Sequence, residues 1–253
     1  MNRRPPLTLA TAAVVGLAFL GLPLVALLVR APWRHLLSLV STPAARTALR
    51  LSIECSFGAL AIAIITGVPI AWLLARREFP GKSFVRALVT VPLVLPPVVG
   101  GVALLFAFGR RGIMPLHIAF TTWAAVLAEA FVAMPFLVLA VEGALGSLDH
   151  RYEDVASTLG AGPLHTFRRV TLPLVAPGLA AGAALAWARA LGEFGATITF
   201  AGNLPGHTQT LPLAVYVALQ SSPDTAIALS VLLLAVSVLV LVVLRGRWRG
   251  LRP

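Results

Sequence analysis

The sequence predicts an all-α, polytopic membrane protein with six transmembrane helices and both termini in the cytoplasm. Apolar residues make up 58% of its 253 residues and charged residues only 11%, with a mean hydropathy of +0.92. A water-soluble domain of this length does not need so much apolar sequence. Several apolar runs reach the roughly 20 residues that cross a bilayer as a helix, and no strand pattern of consequence competes with them.

The first run, about Leu7–Val29, follows Arg3 and Arg4 and carries no charge. It is longer than the roughly 7–15 residues of a signal-peptide core and lacks a clear cleavage site, so it is expected to be a retained span. The second, about Leu51–Ala75, is entered past Glu54. The third, about Ala87–Phe108, contains VPLVLPPVVGG at 91–101. Proline there removes a backbone donor and glycine allows close approach. Either a kinked packing helix or a pathway-lining gate fits this run, with Pro96, Pro97 and Gly100 as pathway candidates. The fourth, about Ile118–Val141, contains Glu129.

The fifth, about Val175–Phe200, contains Arg189 and Glu193, spaced to pair on one helix face. Small residues at Gly178, Gly182, Ala186 and Ala190 offer a smooth face for a neighbouring helix. Charges at membrane depth face protein or water. Arg189 and Glu193 therefore suit a structural ion pair or a pathway position, and Thr197 is grouped with them. Residues 211–220 are too short to span and are expected to form a short or re-entrant helix at the outer face. The sixth run is about Thr225–Leu244.

The basic residues set the orientation. With the N-terminus inside, the inner segments hold Arg3, Arg4, Arg76, Arg77, Lys82, Arg86, Arg151, Arg168, Arg169, Arg245, Arg247, Arg249 and Arg252. The outer segments hold Arg30, Arg34, Arg46, Arg50, Arg110 and Arg111, a smaller set, as the positive-inside rule requires. The net charge of +11 then belongs to a lipid bilayer and its anionic headgroups rather than to nucleic acid. The single Cys55 forms no internal disulfide, and the scattered histidines share no metal-ligand spacing. There is no GxxxxGK[ST] loop, so any ATP chemistry lies on another chain. No catalytic residue, metal or cofactor is expected.

Between the fourth and fifth runs lies RYEDVASTLGAGPLHTFRRVTLP, residues 151–173. Tyr152, Val155, Ala156 and Leu159 fall on one stripe of a short helix. Asp149 is placed to cap its start, and Gly160 stands where a left-handed C-terminal turn calls for glycine. Gly162-Pro163 then fits a second helix start, which Leu172-Pro173 is expected to end. The apolar residues of this elbow have two possible partners: the chain's own helix ends or another protein.

The stretch resembles the EAA loop of ABC-importer permease subunits. That pattern is Glu-Ala-Ala, three residues, Gly, nine residues, then Ile-x-Leu-Pro. Here Asp154-Val155-Ala156, Gly160 and Val170-Thr171-Leu172-Pro173 meet each spacing. Asp replaces Glu, Val replaces Ala and Val replaces Ile, while Glu153 stands beside Asp154. The resemblance covers about residues 48–244 and implies a type I ABC importer permease fold. It also implies a coupling role toward an ATPase for Glu153, Asp154, Ala156, Gly160, Val170, Leu172 and Pro173. The implied partners are two ATPase subunits, a second permease copy in a homodimer and an extracytoplasmic binding protein.

Residues 189–220, RALGEFGATITFAGNLPGHTQTLPLAVYVALQ, are similar to molybdate and tungstate permeases. Sulfate permeases share the ALGEFG and AGN portions, so a sulfate or thiosulfate importer is the alternative. A proton-coupled carrier using Glu54, Glu129, Glu142 and Glu193 with Arg189 is a more distant one. The expected organisation is a tail, first span and outer loop over 1–47, a permease domain over 48–244 with its coupling loop at 149–173, and a basic tail over 245–253.

Overall fold

In the computed structural model, residues 7–114 and 116–249 are described, with the side chains of 7, 241 and 243–249 excepted. Arg3, Arg4 and Arg252 therefore lie outside the described residues, as do the side chains of Arg245, Arg247 and Arg249. Every regular element described is helical. In chain order these are α1 (Leu7–Val29), α2 (Leu36–Val40), α3 (Pro43–Ile62), α4 (Val68–Arg76), α5 (Lys82–Val94), α6 (Pro97–Phe108), α7 (Thr122–Gly146), α8 (Arg151–Thr158), α9 (Pro163–Thr166), α10 (Leu172–Leu191), α11 (Gly195–Phe200), α12 (Leu211–Ser221) and α13 (Pro223–Arg249).

Among the described residues, five continuous helical stretches are long and apolar enough to cross a membrane: Thr8–Val29, Pro43–Arg76, Thr122–Gly146, Pro163–Leu191 and Pro223–Val240. The third expected span is not continuous. Leu95 and Pro96 adopt extended backbone, with ψ of 129° and 132°, because a residue before proline is driven out of the helical region. The run divides there into α5, of 13 residues, and α6, of 12. The fourth span starts later than expected, at Thr122, where the Thr121 hydroxyl accepts from the Ala124 N–H at 3.3 Å. The fifth begins much earlier, at Pro163, and breaks after Leu191. The short helix expected at 211–220 is α12.

Two of the long stretches contain a widened π-turn, at Ala63–Gly67 and Phe167–Thr171, each followed two residues later by a proline. In the second, the Leu172 N–H reaches Phe167 O. The wider turn accommodates Pro173, whose ring would otherwise collide with the preceding helical turn. Leu172-Pro173 therefore does not end the second helix of the elbow. The helix continues as α10.

α7 is the central helix, contacting α3, α4, α5, α10 and α11. Its inner face is built largely from Ala124, Ala125, Ala128, Ala133, Leu137 and Val141, all buried. The small-residue face on α10 meets it: a Cβ on Gly182 would lie 2.7 Å from Ala140 Cβ. Close helix contact supplies packing where lipid provides no hydrophobic drive between helices. Gly182→Leu is expected to force α7 and α10 apart and to cost at least about 1–3 kcal/mol, the range for overpacking. Thermal unfolding in detergent reads this as a lowered Tm. By contrast α1 packs mainly against α13 and leaves Leu17 and Phe19 facing outward.

Candidate functional site

The polar stretch folds as the sequence predicts up to Thr166. Asp149 Oδ1 accepts from the Arg151 N–H at 2.9 Å. At the other end of α8, Gly160 has φ +84°, the Gly160 N–H donates to Ser157 O at 3.0 Å, and the Ala161 N–H donates to Ala156 O at 3.0 Å. This is a complete Schellman cap, and its left-handed position costs a residue with Cβ about 1–2 kcal/mol. Gly162 is extended and Pro163 opens α9. The result is a fixed elbow with a cleft of about 530 Å³ in its crook, lined by Leu159, Gly160, His165, Arg169 and Val170 among others.

The apolar stripe divides. Ala156 turns inward and is buried, whereas Tyr152, Val155, Leu159 and Leu164 are 55%, 58%, 82% and 64% exposed. These four are therefore left largely uncovered by the described residues of this chain. Asp154 is also exposed, with no side-chain partner among the described residues. Leu172 lines an apolar groove with Phe167 and Trp72, and Pro173 is exposed.

Glu153 behaves differently from its neighbour. Its Oε2 lies 3.2 Å from Arg76 Nε at the end of α4. Its Oε1 accepts from the Thr171 hydroxyl at 2.7 Å. Arg76 Nη1 is 3.1 Å from His150 Nε2. The Arg76 side chain is only 4% exposed, so Glu153 balances a guanidinium withdrawn from water. No local spacing announces this network, because Arg76 is remote in sequence and Thr171 reads as an unremarkable position of the EAA pattern.

The pathway candidates gather at a second place. α10 stops at Leu191, and Gly192–Phe194 separate it from α11. Arg189 and Glu193 do pair, with Nη2 to Oε2 at 2.6 Å, but Glu193 lies beyond the helix end rather than on a continuous helix. Its Oε1 accepts from the Ala196 N–H at 2.8 Å in the first turn of α11. That bond offers the backbone an alternative to continuing α10.

This break lies beside the one between α5 and α6: a Cβ on Gly195 would sit 2.8 Å from Pro97 Cβ and 3.2 Å from the Val98 nitrogen. Two interruptions of helical backbone thus abut. Interrupted backbone at membrane depth is tolerated where protein or a water-lined cavity satisfies it. Pro96 and Pro97 are exposed, Gly100 is buried against Phe131, and Glu193 and Thr197 are enclosed by protein. Of the other acidic groups that a proton relay would use, Glu54 is paired with Arg50 and Glu142 with Arg86, both at 2.5 Å. Glu129 is the exception: it is 1% exposed, with Oε2 lacking a hydrogen-bond partner.

A family model described as "Binding-protein-dependent transport system inner membrane component" matches residues 67–251. The molybdenum transport system permease protein ModB of Mycobacterium bovis is 47% identical over 235 residues, covering 90% of this chain and 89% of its own length. The sulfate transport system permease protein CysT of Salmonella typhimurium is 35% identical over 246 residues, covering 93% and 89%. Among solved structures, a bacterial alginate ABC transporter in complex with an alginate pentasaccharide-bound periplasmic protein matches with a TM-score of 0.76 at 16% identity, covering 96% of this chain and 93% of that one. The fold is that of an ABC-importer permease, and this multi-pass membrane chain belongs to the family of binding-protein-dependent transport system inner membrane components.

Proposed function

We propose that this chain is the membrane permease of an ATP-driven molybdate importer, with tungstate as a second oxyanion it admits. The observation that carries the coupling role is the uncovered apolar face of a doubly capped, rigid elbow. Tyr152, Val155, Leu159 and Leu164 point away from the chain that positions them, and an exposed apolar patch with a fixed shape is a protein-docking surface. Its partner is an ATPase subunit in the cytoplasm, with Asp154 as the free carboxylate at the contact. Similarity to a molybdenum permease over nine-tenths of this chain supports the substrate class.

The working assembly has two copies of this chain, two ATPase subunits and an external binding protein. The exposed apolar faces of α5 and α6, including Val94, Val98 and Phe106, are closed by the second copy. ATP brings the ATPase subunits together and displaces both elbows. The paired helix breaks around Pro96–Pro97 and Gly192–Phe194 then open and close the oxyanion path by alternating access. Coupling requires the elbow to bind the two ATPase states with different affinity, since equal affinity shifts no population. A carrier driven by protons would have no use for this docking elbow.

The substrate is tested in vesicles holding the permease, ATPase and binding protein. Labelled molybdate uptake requires ATP. Excess unlabelled molybdate or tungstate suppresses it, and the same excess of sulfate leaves most of it. Suppression by sulfate equal to that by molybdate would assign the chain to the sulfate importers.

A further inference from the structure

Building on the ATPase-docking role proposed above, we infer that Glu153 and Arg76 are positioning residues. Together with Thr171 they form the strut that carries displacement of α8 into the membrane helices.

The geometry shows why such a part is needed. α8 is eight residues long and presents its apolar side outward, so little of its own surface grips the rest of the chain. A push on α8 reaches the pathway through whatever fixes α8 to the long helices. The chain connections at its two ends, to α7 through residues 147–150 and to α9 through the Gly160 elbow, are such links, as is the buried Ala156. Glu153 adds a side-chain link, with one carboxylate oxygen on Arg76 at the end of α4 and the other on the hydroxyl of Thr171. Thr171 is 1% exposed and is the last residue of the π-turn that leads into α10.

The two helices gripped in this way are also the two that carry π-turns. Both pack on α7, and α10 carries Arg189 and ends at the break that holds Glu193. One carboxylate thus ties the docking helix to both long stretches that flank the central helix. Its two oxygens are committed within the chain, so it is not free to serve as the partner's contact. Asp154, one residue on, faces outward and takes that part. Sequence adjacency of the two acids is thereby explained: on a helix, consecutive residues point about 100° apart, one to the strut and one to the partner.

A packing role alone would lower the amount of folded complex and reduce hydrolysis and transport together. A transmission role changes their ratio. The experiment uses the full complex of permease, ATPase and binding protein in proteoliposomes and reads molybdate taken up per ATP hydrolysed, with ATPase co-purification as a separate readout. Glu153→Gln and Thr171→Val are expected to lower uptake per ATP by about tenfold, the scale of an ordinary coupling free energy, while the ATPase still co-purifies. Arg76→Glu combined with Glu153→Arg is expected to recover most of the loss, because the pair is remade with reversed sign.

Unchanged uptake per ATP in both single variants overturns the strut, as does a charge swap no better than the worse single variant. Loss of ATPase co-purification in Glu153→Gln overturns it in favour of direct contact. If instead labelled molybdate is never taken up by the unaltered complex, the substrate assignment fails. The same variants read on ATP hydrolysis stimulated by loaded binding protein then decide the strut on their own.

Discussion

Replacing Asp154 with Lys and Leu159 with Asp together is expected to detach the ATPase while the permease remains inserted. Leu159 is the most exposed residue of the apolar stripe. If it enters a pocket on the partner, placing a carboxylate there buries an unpaired charge, and reversing Asp154 opposes whatever cation it meets. Each change at the centre of an interface costs about 2–5 kcal/mol, so affinity falls by at least about a hundredfold. Co-purification of the ATPase with the tagged permease reads the loss, and the unchanged Tm of the isolated permease shows that the elbow still folds. The substitutions leave the caps at Asp149 and Gly160 untouched. An ATPase that still co-purifies with the doubly altered chain would remove the docking role from this face.

The second large effect lies at the break between α10 and α11. Arg189→Ala leaves Glu193, 1% exposed, without its 2.6 Å partner. Stranding a buried charge costs about 3–5 kcal/mol. Glu193→Ala also removes the acceptor for the Ala196 N–H and frees the start of α11. Changing both residues to Ala is expected to harm stability less than Arg189→Ala alone, since no carboxylate is then left unpaired. Thermal unfolding of the three variants in detergent checks this. Losses that simply add would mean that the two side chains do not act as a pair.

Much of this architecture was legible because the bilayer imposes a few strong rules on sequence. Leu7–Val29 is legible with its observed bounds because no charged residue lies between its ends. The elbow was legible for another reason. Asp149, Gly160 and Gly162-Pro163 are each dictated by local backbone chemistry, and local chemistry is what spacing encodes. Its continuation past Leu172-Pro173 is not legible, because a proline stops an ordinary helix but not one widened by a π-turn, and no residue type marks that turn.

The four-residue spacing puts Arg189 and Glu193 within pairing reach, as observed, but does not reveal the end of α10 between them. That end depends on Glu193 taking the Ala196 N–H, a choice made by the packing of α11 against α6. The role of Glu153 was hidden for the same reason. Its partners Arg76 and Thr171 come from two other segments, and only the packing of α4 and α10 around α7 brings them to it. Asp154 and Glu153 look equivalent in the sequence. Their division of labour follows from which side of α8 faces the protein.

The most direct test uses a single thiol on the docking face. Cys55 is the chain's only cysteine and is 1% exposed, so it gives a quiet background. Leu159→Cys then places one reactive thiol at the centre of the elbow. Labelling with a membrane-impermeant maleimide is followed in inside-out and right-side-out vesicles, with and without the ATPase subunit. The docking role predicts labelling only from the cytoplasmic side and a fall of at least about tenfold when the ATPase is bound, as for a residue in a desolvated interface centre. Labelling from the external side, or at the same rate with and without the ATPase, would contradict it.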